Sequence, residues 1–259
     1  YVTIALIAIN CLVFLYEVTR PGDGMQQFIW KYGYVPAEFV HGSDAVRKEL
    51  RAANNAPPTR YRDQRTGRTF IVPPPQRPVE EAIAYPAWIN IFTCMFLHGG
   101  WMHLLGNMLF LWIFGNNIED KLGPVLFVVF YLGTGVAGNL AHTWWDPALV
   151  PLVGASGAIS GVMGAYIVLF PRVRILAVIP WYFYWFTVRL PAWVFLGVYY
   201  LIQNLSSAFR PSQGSVAYWA HLGGFAAGAA MIFLLPHRKH PPRTRPVPPR
   251  SDHEADFEF

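Results

Sequence analysis

Four side chains able to do acyl-transfer chemistry sit inside apolar stretches of this sequence. Ser156 lies in VGASGAISGVMG (153–164), His221 in AHLGGFAAG (220–228), and His103 and Asn107 in HGGWMHLLGN (98–107). A serine hydroxyl is a weak nucleophile until a neighbouring base removes its proton, and an imidazole does this near neutral pH. The tetrahedral intermediate then carries an oxyanion that needs preorganised donors. His103 and Asn107, four apart, share one helical face. With the backbone N–H of Ser156 at the positive end of a helix, they are candidate oxyanion donors. No acidic residue lies near these positions, which favours a Ser–His dyad over a triad.

The elements that must position these residues are membrane spans. The chain has 259 residues, 54% hydrophobic and only 14% charged, about half the charged share of a soluble domain. Apolar runs at 1–16, 101–118, 125–141, 156–170, 191–205 and 216–235 approach the length needed to cross a bilayer. The expectation is an all-α polytopic membrane protein of six spans. Residues 1–235 form the membrane domain, with a polar, Pro-rich insertion at about 42–78 in a long first loop, left irregular here. Residues 236–259 form a basic, Pro-rich, disordered tail. The aromatic stretch 175–188 is expected along the interface.

Six spans make the second, fourth and sixth run in one direction, so His103, Asn107, Ser156 and His221 start at one depth. Basic residues in 171–174 and after Pro236 lie at the opposite face, which the positive-inside rule makes cytoplasmic. The active site therefore opens to the outer face. The net charge of +5 fits orientation and anionic lipid, not nucleic acid. The absence of an organelle signal points to a bacterial plasma membrane.

Taken singly, each polar residue has a plainer explanation. Ser156 is a packing serine in a small-residue helix, His221 an interhelical hydrogen bond, Asn107 interhelical glue. Together at one depth they are better explained by function. His98 is expected to support the site, His142, Trp144 and Trp145 to lie at the interface, and Glu119 and Asp120 to make helix-end contacts. Gly154 and Gly157 flank the serine. Ser160 with Gly164, and Gly224 with Gly228, form small-residue stripes that let spans four and six approach. Cys11 and Cys94 are expected as free, packed thiols. No HExxH is present, so neither metal nor other cofactor is expected.

HGGWMHLLGN, GNNIEDKLG (115–123), GASG (154–157) and AHLGGFAAG, in this order, resemble the rhomboid family of intramembrane serine proteases over roughly 88–235. The resemblance implies a six-helix fold with a cavity open to the outer face and cleavage of single-span membrane proteins. By motif, Ser156 resembles the family's nucleophile, His221 its base, and His103 and Asn107 its oxyanion residues. Two departures stand out. Trp88 precedes Ile89 where the family often has arginine, and Ser160 stands where some members place a tyrosine against the catalytic histidine. Another residue must therefore orient His221. The competing expectation is an inactive relative that binds transmembrane clients; such relatives lack the serine or the histidine. Substrate identity, cleavage preference and oligomeric state are not legible.

Overall fold

The computed structural model describes residues 1–62, 69–72, 74, 76–82, 84–181, 184–209 and 217–238. The expected tail falls mostly at 239–259, outside the described residues. The chain is mostly helical. Its long helices are α1 (Val2–Val18), α9 (Pro124–Trp145), α10 (Ser156–Leu169), α11 (Ala192–Phe209) and α12 (Tyr218–Leu234). The second expected span is helical throughout: α7 (Trp101–Phe110), a π-helical turn at Leu111–Gly115, and α8 (Asn116–Leu122). Among the described residues only Pro124–Trp145 is by itself long and apolar enough to cross a membrane; Val2–Val18, Ala87–Phe96, Ser156–Leu169 and Tyr218–Leu234 are shorter apolar helices.

An apolar core encloses several polar side chains, and many large apolar side chains face outward. Thr3, Asn10, Glu17, Thr134, Asn139 and His221 are buried, while Leu12, Val125, Leu109 and Trp112 are exposed. Broad exposure of large apolar side chains marks a surface meant for lipid or a partner. Enclosed polar groups mark the interior as the place of function.

The tightest packing joins α10 to α12. A Cβ on Gly224 would meet the Gly157 carbonyl, one on Gly228 the Gly161 carbonyl, and one on Gly164 the Phe225 carbonyl. Two Gly-xxx-Gly stripes, 157/161 and 224/228, thus bring backbones together where no side chain fits. Here the structure corrects the expected stripe. Gly161, not Ser160, opposes Gly228, because the face of α10 carrying Ser160 is turned towards a cavity. Gly161 is also pinched from behind by Thr134 of α9.

Glu119 fastens the first helix to the second span. Its carboxylate accepts the backbone N–H groups of Val2 (2.6 Å) and Thr3 (2.8 Å) and the Thr3 hydroxyl (2.7 Å). An anion at a helix N-terminus satisfies donors that have no intrahelical acceptor. Charge-assisted bonds of this kind contribute about 1.5–3 kcal/mol each and overlap when they share one carboxylate, so Glu119→Ala is expected to cost about 3 kcal/mol. Thermal unfolding in detergent will show it as a melting point lower by roughly 6–12 °C; an unchanged value would sink this role. At the same end, the Arg238 amide donates to the Lys121 carbonyl at 2.8 Å, joining the chain after α12 to the end of α8.

Two expectations of irregular or helix-only structure fail. The first-loop insertion contains α4 (Ser43–Asn54) and an antiparallel hairpin, β1 (Thr59–Arg62) with β2 (Thr69–Val72). With α2 (Gly24–Tyr32), α3 (Pro36–His41) and α5 (Val79–Ala82), α4 closes a small core of Trp30, Val35, Val46, Leu50 and Ala82. Arg51 and Glu80 pair above that core at 2.8 Å. Val46 and Leu50, one turn apart, supply the apolar face that the overall polar composition concealed. The stretch after α10 is a second antiparallel hairpin, β3 (Arg174–Trp181) with β4 (Tyr184–Pro191). Ile175 and Ala177 turn inward while Leu176 and Val178 are exposed, the alternation of a strand with one packed face. Its exposed Tyr184 and Trp185 still suit a bilayer interface.

Candidate active site

The segment leading to Ser156 is clamped before it becomes helix. Tyr34 and Leu152 exchange backbone hydrogen bonds of 3.1 and 2.7 Å, and the Gly154 amide donates to the Cys94 carbonyl at 2.8 Å. Tyr34 is fully buried. Burial pushes its phenol up to about 12, and the neutral hydroxyl hydrogen-bonds Thr143 Oγ1 at 2.8 Å. Asn139 donates to the Ile91 carbonyl at 3.1 Å and to Cys94 Sγ at 3.2 Å. Tyr34, in the part of the first loop ahead of the 42–78 insertion, thus holds the approach to the serine.

α10 begins at Ser156 itself, so the Ser156 N–H is among the unpaired donors of a helix N-terminus. His221 Nε2 lies 2.7 Å from Ser156 Oγ. That is a full hydrogen bond between a hydroxyl and a ring nitrogen carried on adjacent, glycine-packed helices. His221 is buried, held between α10 and α9: the Ala220 carbonyl lies against Gly138, and Gly223 against Ala141.

His103 and Asn107 reach the same place from α7. A Cβ on Gly154 would stand 2.7 Å from His103 Cε1 and Nε2 and 3.5 Å from Asn107 Nδ2. Gly154 also has φ +117°, a region open mainly to glycine. Both constraints make Gly154→Ala displace the His103 ring. The expected loss in turnover is about a hundredfold, the scale of one oxyanion donor. A kcat within a few-fold of the unmodified chain would show that His103 is not held there.

A cavity of about 540 Å³ is lined by all four residues, Ser156, His221, His103 and Asn107, together with Ser160 and Tyr199. Its remaining wall is largely apolar, with Met102, Phe110 and Met163 among its residues. The geometry therefore gathers every residue the sequence nominated as nucleophile, base or oxyanion donor.

Other expectations are refined. His98 is fully buried, with Nε2 3.0 Å from Asn107 Nδ2, so it contacts one of the four residues directly. Gly157 and Gly224 take part by mutual close approach. Cys94 is buried and Cys11 half-buried, both free thiols. His142 was expected at the interface; it is buried on α9, because α9 runs four residues beyond the expected end of its span. The sequence reading missed Glu17 altogether. It is enclosed near His98, and its amino-acid signal was plain: a lone carboxylate in the otherwise uncharged stretch 1–18.

The Rhomboid domain family matches residues 85–238 of this sequence, well over half of the chain. The chain belongs to the rhomboid family. Rhomboid protein 1, mitochondrial, of Saccharomyces cerevisiae is 37% identical over 145 residues, covering 54% of this chain and 40% of that protein. Rhomboid-like protein 11, chloroplastic, of Arabidopsis thaliana is 29% identical over 163 residues, covering 58% of this chain and 54% of the relative. Rhomboid protease GluP of Bacillus subtilis is 40% identical over 83 residues, covering 32% of this chain and 16% of its own length. The matched segments thus span about half or less of these relatives. Rhomboid membership makes the chain membrane-integral, and some of its relatives, GluP among them, are named as proteases.

Proposed function

We propose that this chain is an intramembrane serine endopeptidase that cleaves transmembrane-segment substrates with a Ser156–His221 dyad. The 2.7 Å contact between His221 Nε2 and Ser156 Oγ carries the reading. For Nε2 to accept the hydroxyl proton, His221 is neutral with its own proton on Nδ1. Ser156 Oγ attacks the scissile carbonyl carbon as its proton passes to Nε2. The carbonyl oxygen becomes an oxyanion facing His103, Asn107 Nδ2 and the Ser156 N–H. Collapse expels the amine, which takes the proton back from His221 and leaves an acyl-enzyme ester. Water, deprotonated by His221, then repeats the cycle and releases the acid.

The apolar cavity wall suits an unwound stretch of a substrate's transmembrane segment. Six spans place the starts of α7, α10 and α12 at the outer face and Lys121, Arg172 and Arg238 at the cytoplasmic one. Relatives named as mitochondrial and chloroplastic stand beside bacterial ones, so the bacterial plasma membrane is one of several possible hosts. Lipid and transmembrane substrates are the partners this reading requires.

The test is cleavage of a single-span substrate by the purified chain in liposomes, with and without Ser156→Ala. Loss of cleavage in a folded Ser156→Ala variant is expected. Undiminished cleavage would refute the reading, and no cleavage by the unmodified chain, with retention of the substrate, would favour an inactive client-binding relative.

A further inference from the structure

Glu17 is a carboxylate with no part in the chemistry above, yet it is fully enclosed in the last turn of α1. Its Oε2 accepts the backbone N–H of His98 at 3.2 Å. The His98 ring is also fully enclosed, and Phe14 packs edge-on to it at 6.4 Å. His98 Nε2 lies 3.0 Å from Asn107 Nδ2. A carboxamide nitrogen only donates, so Nε2 must accept, and the imidazole is neutral with its proton on Nδ1.

This tautomer decides what Asn107 offers the cavity. The amide nitrogen has two hydrogens; one goes to His98 and the other remains for an oxyanion. With the proton on Nε2 instead, His98 would donate, Asn107 would turn its oxygen to meet it, and an acceptor would face the developing negative charge.

With Nε2 accepting from Asn107, the ring proton is left on Nδ1. Among the described residues, His98 Nδ1 and Glu17 Oε1 are both enclosed without a hydrogen-bond partner. Glu17 therefore acts on the backbone that carries the ring, through the His98 N–H.

We infer that Glu17 is a positioning residue for the oxyanion hole, holding His98 by its backbone amide so that the His98 ring keeps Asn107 Nδ2 turned towards Ser156. The inference rests on the dyad reading and deepens it. The alternative is a purely structural tether between α1 and the chain before α7.

A double-mutant cycle on the full chain in liposomes separates the two. Glu17→Leu is expected to lower kcat about thirtyfold, less than the roughly hundredfold or more of a deleted oxyanion donor because Asn107 is displaced and not removed, and to leave KM within about twofold. In an Asn107→Ala background the same substitution is expected to cost less than about threefold, because its target is gone. Glu17→Gln keeps the shape and one acceptor, so it carries the cycle if Glu17→Leu fails to fold; about tenfold is expected, again suppressed by Asn107→Ala. Losses that multiply in the double variant, or that appear in KM and melting temperature alone, would overturn the inference. So would an Asn107→Ala variant with unchanged kcat. Retained cleavage in Ser156→Ala would instead defeat the dyad itself, so the two failures are distinguishable.

Discussion

His221→Ala will lower the cleavage rate by roughly four to six orders of magnitude, the scale seen when a hydroxyl nucleophile loses its base. The imidazole at 2.7 Å is the group in contact with Ser156 Oγ that can take its proton. Alanine removes the acceptor and leaves the serine protonated. The same substitution removes the acid that protonates the leaving amine, so both halves of the cycle fail. The fold should survive, because α12 is held by glycine contacts at 224 and 228, beyond the histidine. Initial rates with a single-span substrate, paired with a melting curve, measure both. A loss below about a hundredfold in a folded variant would show that another group activates the serine.

Gly228→Val has the largest expected effect on stability. A Cβ there would fall on the Gly161 carbonyl, a backbone group that cannot swing aside, while Gly161 is itself backed by Thr134. Valine adds two further methyl carbons beyond that Cβ. The helices can relieve the overlap only by separating, which would open α10 from α12 and draw Ser156 away from His221. The cost is expected to exceed about 4 kcal/mol, the range reserved for gross packing faults. Purification yield, melting temperature and residual cleavage should fall together. Gly228→Ala, with one added carbon at the same place, should fall between. A Gly228→Val chain with normal stability would mean that α10 and α12 do not pack through this stripe.

The reacting residues were legible because a polar side chain within an apolar span has few reasons to be there. Ser156, His103, Asn107 and His221 each stood out against their neighbours, and helix direction alone brought them to one level. Their supports were harder to read. Gly154 was legible as a small residue, but its clash partner, His103, depends on how α7 meets α10. The Tyr34–Leu152 clamp joins backbones far apart in sequence, and backbone pairing leaves no mark in residue type.

The first-loop helix α4 and the β3–β4 hairpin were misread for opposite reasons. In α4 the helical spacing of Val46 and Leu50 was outweighed by polar and proline-rich surroundings. In β3–β4 the aromatic content suggested an interfacial segment, although Ile175, Val178, Thr187 and Val188 are strand-forming types. The pairing of two such runs across 182–183 was the missed signal. Glu17 was not legible as part of the site because it comes from the C-terminal end of α1, not from a start of the second, fourth or sixth span.

In the proposed mechanism Ser156 acts as a nucleophile made reactive by His221. The most direct measurement treats the chain in liposomes with a fluorophosphonate, digests it and locates the phosphonylated residue by mass spectrometry. A single adduct on Ser156 is expected, absent from Ser156→Ala and lost from folded His221→Ala. An adduct on Ser160 instead, or labelling of Ser156 that persists undiminished without His221, would contradict it.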